Sequence, residues 1–202
     1  MFIVFEGIDG CGKSTQLWKL AKYISELNKY NHVLVTREPY KSREIREILK
    51  LDEKPEEKAE KLAELFVKDR KEHIEKIITP ALKENIFVLC DRYKYSTIAY
   101  QASQGIDIKK LIEMHKEMPA PDLVFIFDLS VEVAMERMKK DSMRKNEQKF
   151  EKDINFLEKV RKNYLEIKKI FPNENIFIIN AEKNIDEIFE NLKNIFAEHG
   201  NL

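Results

Sequence analysis

The chain has 202 residues, of which 36 are Lys or Arg and 36 are Asp or Glu, so its net charge at pH 7 is zero and gives no reason to expect binding to nucleic acid or to a membrane. No apolar run approaches the roughly 18 residues that a membrane-spanning helix needs, and we expect a short apolar strand at the start of the sequence rather than a signal peptide. The two cysteines lack metal-ligand spacing and fit a reducing, cytoplasmic location.

The first predicted element is the strand Phe2–Phe5, followed by a glycine-rich loop and an amphipathic helix over about residues 14–29. The loop fits the phosphate-binding pattern G-x-x-x-x-G-K-[ST]. In such a loop, backbone N–H groups and the helix N-terminus point at phosphate oxygens, the lysine reaches the β- and γ-phosphates, and the serine hydroxyl binds Mg²⁺. The sequence therefore predicts a site for the phosphates of a nucleoside triphosphate, formed by Gly7, Ile8, Asp9, Gly10, Cys11, Gly12, Lys13, Ser14 and Thr15.

The second predicted strand, His32–Thr36, runs into Arg37, Glu38 and Pro39. Because the carboxyl ends of parallel strands line the ligand crevice of an open α/β sheet, Arg37 is a candidate phosphate ligand. A salt-bridged surface arginine is the alternative. The bond between Glu38 and Pro39 is a candidate cis peptide.

Helical patterns cover about residues 42–51 and 55–84, and Phe66 and Arg70 lie four residues apart in the second of them. They therefore share one helix face, where an aromatic ring can stack on a base while a guanidinium bonds its edge. A core phenylalanine beside a surface arginine is the alternative that the sequence leaves open. His73 has no partner at metal-ligand spacing.

The third predicted strand, Ile86–Cys90, is followed by Asp91 and Arg92. An acidic residue at the end of a buried strand, opposite a phosphate loop, suits a Mg²⁺-water ligand, and an arginine there can bridge two phosphoryl groups. An N-cap aspartate beside a surface arginine is the alternative. The next segment, 96–101, has helical character, and its Tyr100 either leans over a sugar or is a half-buried core aromatic.

Two more strands are predicted at Leu123–Leu129 and Asn175–Asn180, with helices near 107–116, 131–140, 150–170 and 184–198. Alternating strands and helices predict an α/β protein with a parallel sheet covered on both faces. We expect a three-layer P-loop NTPase fold with a five-stranded sheet in a single domain, 1–202. The polar, basic stretch 139–152 is either a solvated surface or a mobile lid, which we place at about 137–151.

Taken together, these segments resemble the thymidylate kinases, which are nucleoside-monophosphate kinases of the P-loop class. The resemblance covers most of the chain and rests on the ordered combination of its segments, namely Phe5–Gln16, Thr36–Pro39, Leu65–Phe66 with Asp69–Arg70 and His73, Asp91–Tyr93, Ser96–Thr97, Ala99–Gln101, Pro119 with Pro121–Leu123, and Phe156–Leu157 with Val160–Arg161 and Tyr164. It implies ATP and dTMP as substrates, Mg²⁺ as cofactor and a homodimer built on helices that include residues 55–84.

The resemblance also implies residue roles. Lys13, Asp9 and Arg92 would be catalytic, Ser14 and Asp91 would bind the metal, and Asp9 would bond the 3′-hydroxyl of dTMP. The implied dTMP site contains Asp9, Arg37, Pro39, Phe66, Arg70, Arg92, Thr97, Tyr100 and Gln101. Within it, the two arginines Arg37 and Arg92 would hold the monophosphate, Phe66 would stack on thymine and Arg70 would bond its edge, while Tyr100 would crowd the 2′ position and Pro39 would wall the methyl group.

The chain departs from the family pattern around the lid. One subgroup has an arginine immediately after the loop aspartate, where this chain has Gly10. The transition-state arginine would then come from the lid, with Arg137 and Arg144 preferred over Lys139 and Lys140. The family's Asp-Arg-x-Glu after the lid is here Gln-Lys-Phe-Glu, residues 148–151, and a lysine cannot replace a bidentate arginine contact.

Several other functions stay open. A kinase for another monophosphate is the nearest rival, since a methyl contact discriminates by only about 1–3 kcal/mol. Deoxynucleoside kinases usually carry Glu-Arg-Ser where this chain has Asp91-Arg92-Tyr93, and a GTPase lacks support because no Asn-Lys-x-Asp motif occurs. A nucleotide-binding protein without catalysis is the alternative from another class, supported only by the altered lid.

Overall fold

A computed structural model describes residues 1–51, 55–140 and 154–199 of the chain. Its five strands are β1 (Phe2–Glu6), β2 (Val33–Arg37), β3 (Phe87–Asp91), β4 (Leu123–Asp128) and β5 (Ile176–Asn180). They form one sheet in the order β2-β3-β1-β4-β5, and every pairing is parallel. The predicted α/β class and the five-stranded parallel sheet are confirmed, and each strand lies within about one residue of its predicted bounds.

The described helices are α1 (Lys13–Leu27), α2 (Arg43–Leu51), α3 (Ala59–His73), α4 (Thr79–Lys83), α5 (Lys94–Ser103), α6 (Ile108–His115), α7 (Val131–Lys140), α8 (Ile154–Ile170) and α9 (Ile185–His199). The segment predicted as one helix over 55–84 consists instead of a 3₁₀ turn, Pro55–Lys58, then α3, a π-helical turn, Ile74–Ile78, and α4. The π-helical turn does not interrupt the helical pattern of apolar residues, so apolar periodicity alone could not reveal it.

The core lies on both faces of the sheet. All five residues of β1 are buried, as are the first five of β4, which is why these strands read as continuous apolar runs rather than alternating ones. Helices α1 and α9 pack together on the sheet, with the ring of Tyr23 in edge contact with Phe189 and Phe196. None of the described helices is long and apolar enough to cross a membrane.

The strand register places the site. Arg37, the last residue of β2, is level with Asp91, the last residue of β3, and Asp91 is level with Phe5 of β1. The residues that follow β1, β2 and β3 are therefore neighbours at one edge of the sheet. The peptide bond between Glu38 and Pro39 at this edge is cis.

Candidate active site

The loop after β1 is folded around its own lysine. The Nζ atom of Lys13 donates to the carbonyl oxygens of Gly7 at 3.0 Å and Ile8 at 2.9 Å, and it lies 3.7 Å from Sγ of Cys11. Gly12, the residue before α1, has a φ of 93° and, as a glycine, has no side chain with which to cap the helix. The first N–H groups of this 15-residue helix are therefore available to an anion, as the phosphate-loop pattern predicts.

Asp91 stands beside the first turn of α1. Its Oδ2 accepts from the hydroxyl of Ser14 at 3.2 Å and from Nη2 of Arg37 at 3.0 Å, while its Oδ1 is buried with no hydrogen-bond partner among the described residues. Burial raises the pKa of this carboxyl, but the charges of Lys13, Arg92 and Arg37 together bring it below its ordinary value. A buried, ionised carboxylate with an unpaired oxygen beside a serine hydroxyl is the hard-oxygen donor set that suits Mg²⁺.

The N-cap alternative for Asp91 is wrong. Tyr93 is the residue before α5, and the first-turn N–H of Ser96 donates to the side chain of Glu6, not to Asp91. Asp91 instead ends β3 and bonds across the cleft to Ser14 and Arg37.

Arg92 has a φ of 74°, in the left-handed region that residues other than glycine rarely adopt. Its Nη2 donates to Oδ1 of Asp9 at 2.9 Å, and its Nη1 donates to the hydroxyls of Ser96 at 3.0 Å and Tyr164 at 3.1 Å. The ring centroid of Tyr100 lies 5.3 Å from its guanidinium carbon. A strained backbone held by this many contacts indicates a fixed guanidinium at the site.

Glu6, the last residue of β1, is fully buried and shares hydrogen-bond partners with Arg92. Its carboxylate accepts from the backbone N–H of Tyr93 at 2.7 Å and from the hydroxyls of Ser96 at 2.6 Å and Tyr164 at 3.0 Å. Burial raises the pKa of Glu6, although the charge of Arg92 and these hydrogen bonds oppose the rise. The same two hydroxyls thus join Glu6 to Arg92.

The helix face that carries Phe66 and Arg70 is not exposed to solvent as the face of a surface helix would be. Arg70 is only 1% exposed, so the alternative of a surface arginine is wrong. Its Nε donates to Oε2 of Glu38 at 2.6 Å, and its Nη2 donates to the carbonyl of Tyr93 and the hydroxyl of Thr97. Phe66, one turn earlier, is half-buried and packs against the small apolar cluster that α2 and α3 share.

His73 belongs to the same buried network. Its Nδ1 lies 3.2 Å from Oε1 of Glu38, and its Nε2 lies 2.8 Å from the hydroxyl of Thr36. The ring stacks on Tyr40 with centroids 4.7 Å apart. These contacts give His73 a structural role, consistent with the absence of metal-ligand spacing.

One cleft of about 2000 Å³ collects most of the predicted site residues. Those that line it are Asp9, Gly10, Cys11, Gly12, Lys13, Ser14, Thr15, Arg37, Pro39, Phe66, Arg70, Asp91, Arg92, Thr97, Tyr100, Gln101 and Arg137. Gly7 and Ile8, at the start of the loop, are buried and are not among the residues that line the cleft. Arg144 and most of the segment predicted as a lid lie outside the described residues.

Arg137 lies in the last turn of α7, and its Nη2 donates to the carbonyl oxygen of Ala181 at 3.1 Å. Ala181 precedes a part of the cleft that the sequence did not predict. This part is formed by residues 182–184, which follow β5, and by residues 185–188, Glu190, Asn191 and Asn194 of α9. Ligands of such sheets bind beyond the carboxyl ends of the strands, which is why Arg37 and Asp91 were predicted to lie at the site. The same rule applied to β5 could have predicted this part of the cleft.

A parallel sheet whose first strand leads into this loop, with an ionised aspartate beside the loop serine, defines a P-loop protein built for phosphoryl transfer. A family model described as thymidylate kinase matches residues 5–192. The chain belongs to the thymidylate kinase family.

Three of its relatives are similar to it over most of the chain. A probable thymidylate kinase of Pyrococcus horikoshii is 41% identical, with 95% of this chain and 93% of the relative covered. The thymidylate kinase of Thermosipho africanus is also 41% identical, over 98% of both chains. That of Wolbachia pipientis wMel is 42% identical over 83% of this chain and 84% of its own.

Proposed function

We propose that this chain is an ATP-dependent phosphotransferase that converts dTMP to dTDP, as its family membership implies. One observation supports the proposal most directly. The guanidinium of Arg92, fixed by Asp9, Ser96 and Tyr164, lines the same cleft as the phosphate loop and the pair Phe66 and Arg70. Donor-phosphate, acceptor-phosphate and base-recognition groups are thereby combined in one site.

On the acceptor side, Arg92 and Arg37 would hold the monophosphate and Asp9 the 3′-hydroxyl. The buried Oε1 of Gln101 has no hydrogen-bond partner among the described residues, which suits the N3–H donor of thymine. Arg70 offers donors that suit a base carbonyl, with Thr97 beside it. Phe66 would stack on the ring, while Tyr100 and Pro39 would shape the pocket at the sugar and the methyl group.

On the donor side, the loop N–H groups and Lys13 would bind the phosphates of ATP. Ser14 and the unpaired Oδ1 of Asp91 would hold Mg²⁺, which when bound neutralises charge on the β- and γ-phosphates. To reach ATP, Lys13 must exchange the carbonyl oxygens that it now contacts for phosphate oxygens.

In the reaction, a phosphate oxygen of dTMP attacks the γ-phosphorus of ATP in line. The new bond joins that oxygen to the γ-phosphorus, and the bond to the β–γ bridging oxygen breaks, so that ADP leaves with the bonding electron pair. No general base is required because the attacking oxygen is already anionic. The chain's contribution is to position the two phosphates with Arg37 and Arg92 and to stabilise charge with Lys13.

Further features belong to the same proposal. A lid at about 137–151 would close over ATP within the single domain, with Arg137 and Arg144 supplying transition-state charge; Arg137 already lines the cleft. We also propose a cytoplasmic homodimer with the helices of 55–84 in its interface. Light scattering of the purified protein tests the dimer, for which the expected mass is twice 24.0 kDa.

The test of the activity is ADP release with Mg·ATP and dTMP, dUMP, UMP, dCMP or AMP, with the diphosphate product identified by chromatography. We expect dTMP to be preferred and dUMP to be used less efficiently by about 10- to 200-fold. ADP release at the level of water with every acceptor would overturn catalysis, and preference for another acceptor would overturn the substrate.

Arg92→Ala tests the role of its guanidinium. Loss of a positioned charge should lower kcat by about 100-fold or more. Arg43→Ala is the matched control because Arg43 is exposed and does not line the cleft. Equal kcat values for the two variants would refute the proposed role.

A further inference from the structure

A buried histidine contacts the arginine that would read the base. His115, the last residue of α6, is 2% exposed and belongs to none of the motifs identified in the sequence. Its Nε2 lies 2.7 Å from Nη1 of Arg70, and its Nδ1 lies 2.7 Å from the carbonyl oxygen of Leu111. Arg70 and His115 are 45 positions apart in the chain, so the contact joins α3 to α6.

These two contacts fix the protonation of the ring. A carbonyl oxygen only accepts, so Nδ1 of His115 carries the hydrogen that bonds Leu111. A guanidinium only donates, so Nε2 must be the unprotonated acceptor. Burial, reinforced by the charge of Arg70, lowers the pKa of His115 to about 3, which keeps this neutral tautomer at physiological pH.

The donors of Arg70 can then be counted. A guanidinium has five N–H groups. Glu38 accepts the one on Nε, Tyr93 and Thr97 accept the two on Nη2, and His115 accepts one of the two on Nη1. Among the described residues, one N–H on Nη1 therefore has no protein acceptor, and Arg70 lines the cleft.

We propose that His115 is a positioning residue that sets base specificity through Arg70. By accepting one hydrogen of Nη1, it fixes the plane of the guanidinium and leaves a single donor for the base. A lone donor pairs with the carbonyl at C4 of thymine or uracil and opposes the amino group at C4 of cytosine, which also donates. The inference rests on the proposed function, in which Arg70 bonds the base edge.

The test compares His115→Gln with His115→Met. The two side chains have nearly the same length, but only glutamine offers an acceptor near the place of Nε2. For His115→Met we expect the KM for dTMP to rise by about 10-fold and the preference for dTMP over dCMP to fall by about 10-fold, since a hydrogen bond to a charged group is lost. His115→Gln should recover both to within about threefold, and the KM for ATP should stay within about twofold in each variant.

A third variant guards against a folding defect. His115→Asn places an amide donor near Nδ1, so it can keep the bond to Leu111 while lacking an acceptor for Arg70. It should therefore behave like His115→Met in KM and base preference. Wild-type KM for dTMP and wild-type base preference in both His115→Met and His115→Asn would overturn the inference, whatever their melting temperatures.

Arg70→Gln separates this inference from the proposal on which it rests. An unchanged KM for dTMP in Arg70→Gln would show that Arg70 does not bind the base, and the proposed base site would fail. A raised KM in Arg70→Gln with wild-type behaviour in the His115 variants would leave the base site intact and refute the role of His115 alone.

Discussion

Asp69 holds the loop between β2 and α2, and its removal has a calculable cost. Its Oδ1 accepts from the backbone N–H groups of Lys41 at 2.9 Å and Ser42 at 2.7 Å, and its Oδ2 accepts from that of Tyr40. The carboxylate is only 6% exposed. Asp69→Ala would leave three N–H groups without this acceptor, in a loop that follows the cleft residue Pro39.

The magnitude follows from the number of bonds. At about 1.5 kcal/mol for each of the three bonds to this charged acceptor, Asp69→Ala should lower the free energy of unfolding by about 4.5 kcal/mol. For a chain of 202 residues the entropy of unfolding is about 0.4 kcal/mol/K, so the melting temperature should fall by about 10 °C. Asp69→Asn keeps the oxygen that can serve Lys41 and Ser42 and should cost about half as much.

Urea unfolding and calorimetry measure both variants. Asp107→Ala is the control because Asp107 caps α6 with a single exposed bond to the N–H of Lys109, a cap worth about 1 kcal/mol. We also expect Asp69→Ala to raise the KM for dTMP without changing that for ATP, since the loop carries Pro39 into the cleft. A loss for Asp69→Ala no greater than for Asp107→Ala would refute the reasoning.

Three further predictions concern the phosphate site. Tyr164→Phe removes an acceptor of Arg92 and should lower kcat by about 5- to 10-fold; an unchanged kcat would contradict this. Gly10→Ala should lower the melting temperature more than Gly12→Ala, because both glycines have positive φ but only a Cβ at Gly10 meets a backbone carbonyl oxygen, at 2.6 Å; equal losses would count against the steric account. Because the pKa of Asp91 is lowered in the folded state, its ionised carboxylate stabilises the fold at pH values above the ordinary pKa of 3.8, and this stabilisation is lost as the pH falls below 3.8. Asp91→Asn should therefore make the free energy of unfolding fall less steeply below pH 3.8. Parallel pH profiles for the variant and the wild type would contradict this.

The sheet and the phosphate loop could be predicted because their signals are local. The apolar run Phe2–Phe5 is buried on both faces, and the glycines and lysine that follow it stand at fixed spacing. Asp91 and Arg37 could be brought together for a related reason, since parallel strands align their carboxyl ends. These rules did not predict the one-residue offsets at the strand ends or the burial of Gly7 and Ile8.

The burial of Arg70 could not be predicted in the same way. Helical periodicity shows that Phe66 and Arg70 share a face, but it does not show what covers that face. The groups that make the burial of this charge tolerable, Glu38 and His115, come from positions 32 and 45 residues away. Partners so distant in the chain leave no trace in the local sequence pattern.

Lys13 and Arg70, two of the cationic side chains that line the cleft, differ in what a ligand must do to bind them. Lys13 already bonds two carbonyl oxygens of its own loop, so a phosphate has to displace those contacts before it gains its own. Four acceptors orient the guanidinium of Arg70, and one of its N–H groups has no acceptor within the part of the chain that the structure describes, so a base carbonyl would meet little ordering cost there. Small inhibitors should therefore gain more affinity per atom by growing from the base pocket than by imitating a triphosphate.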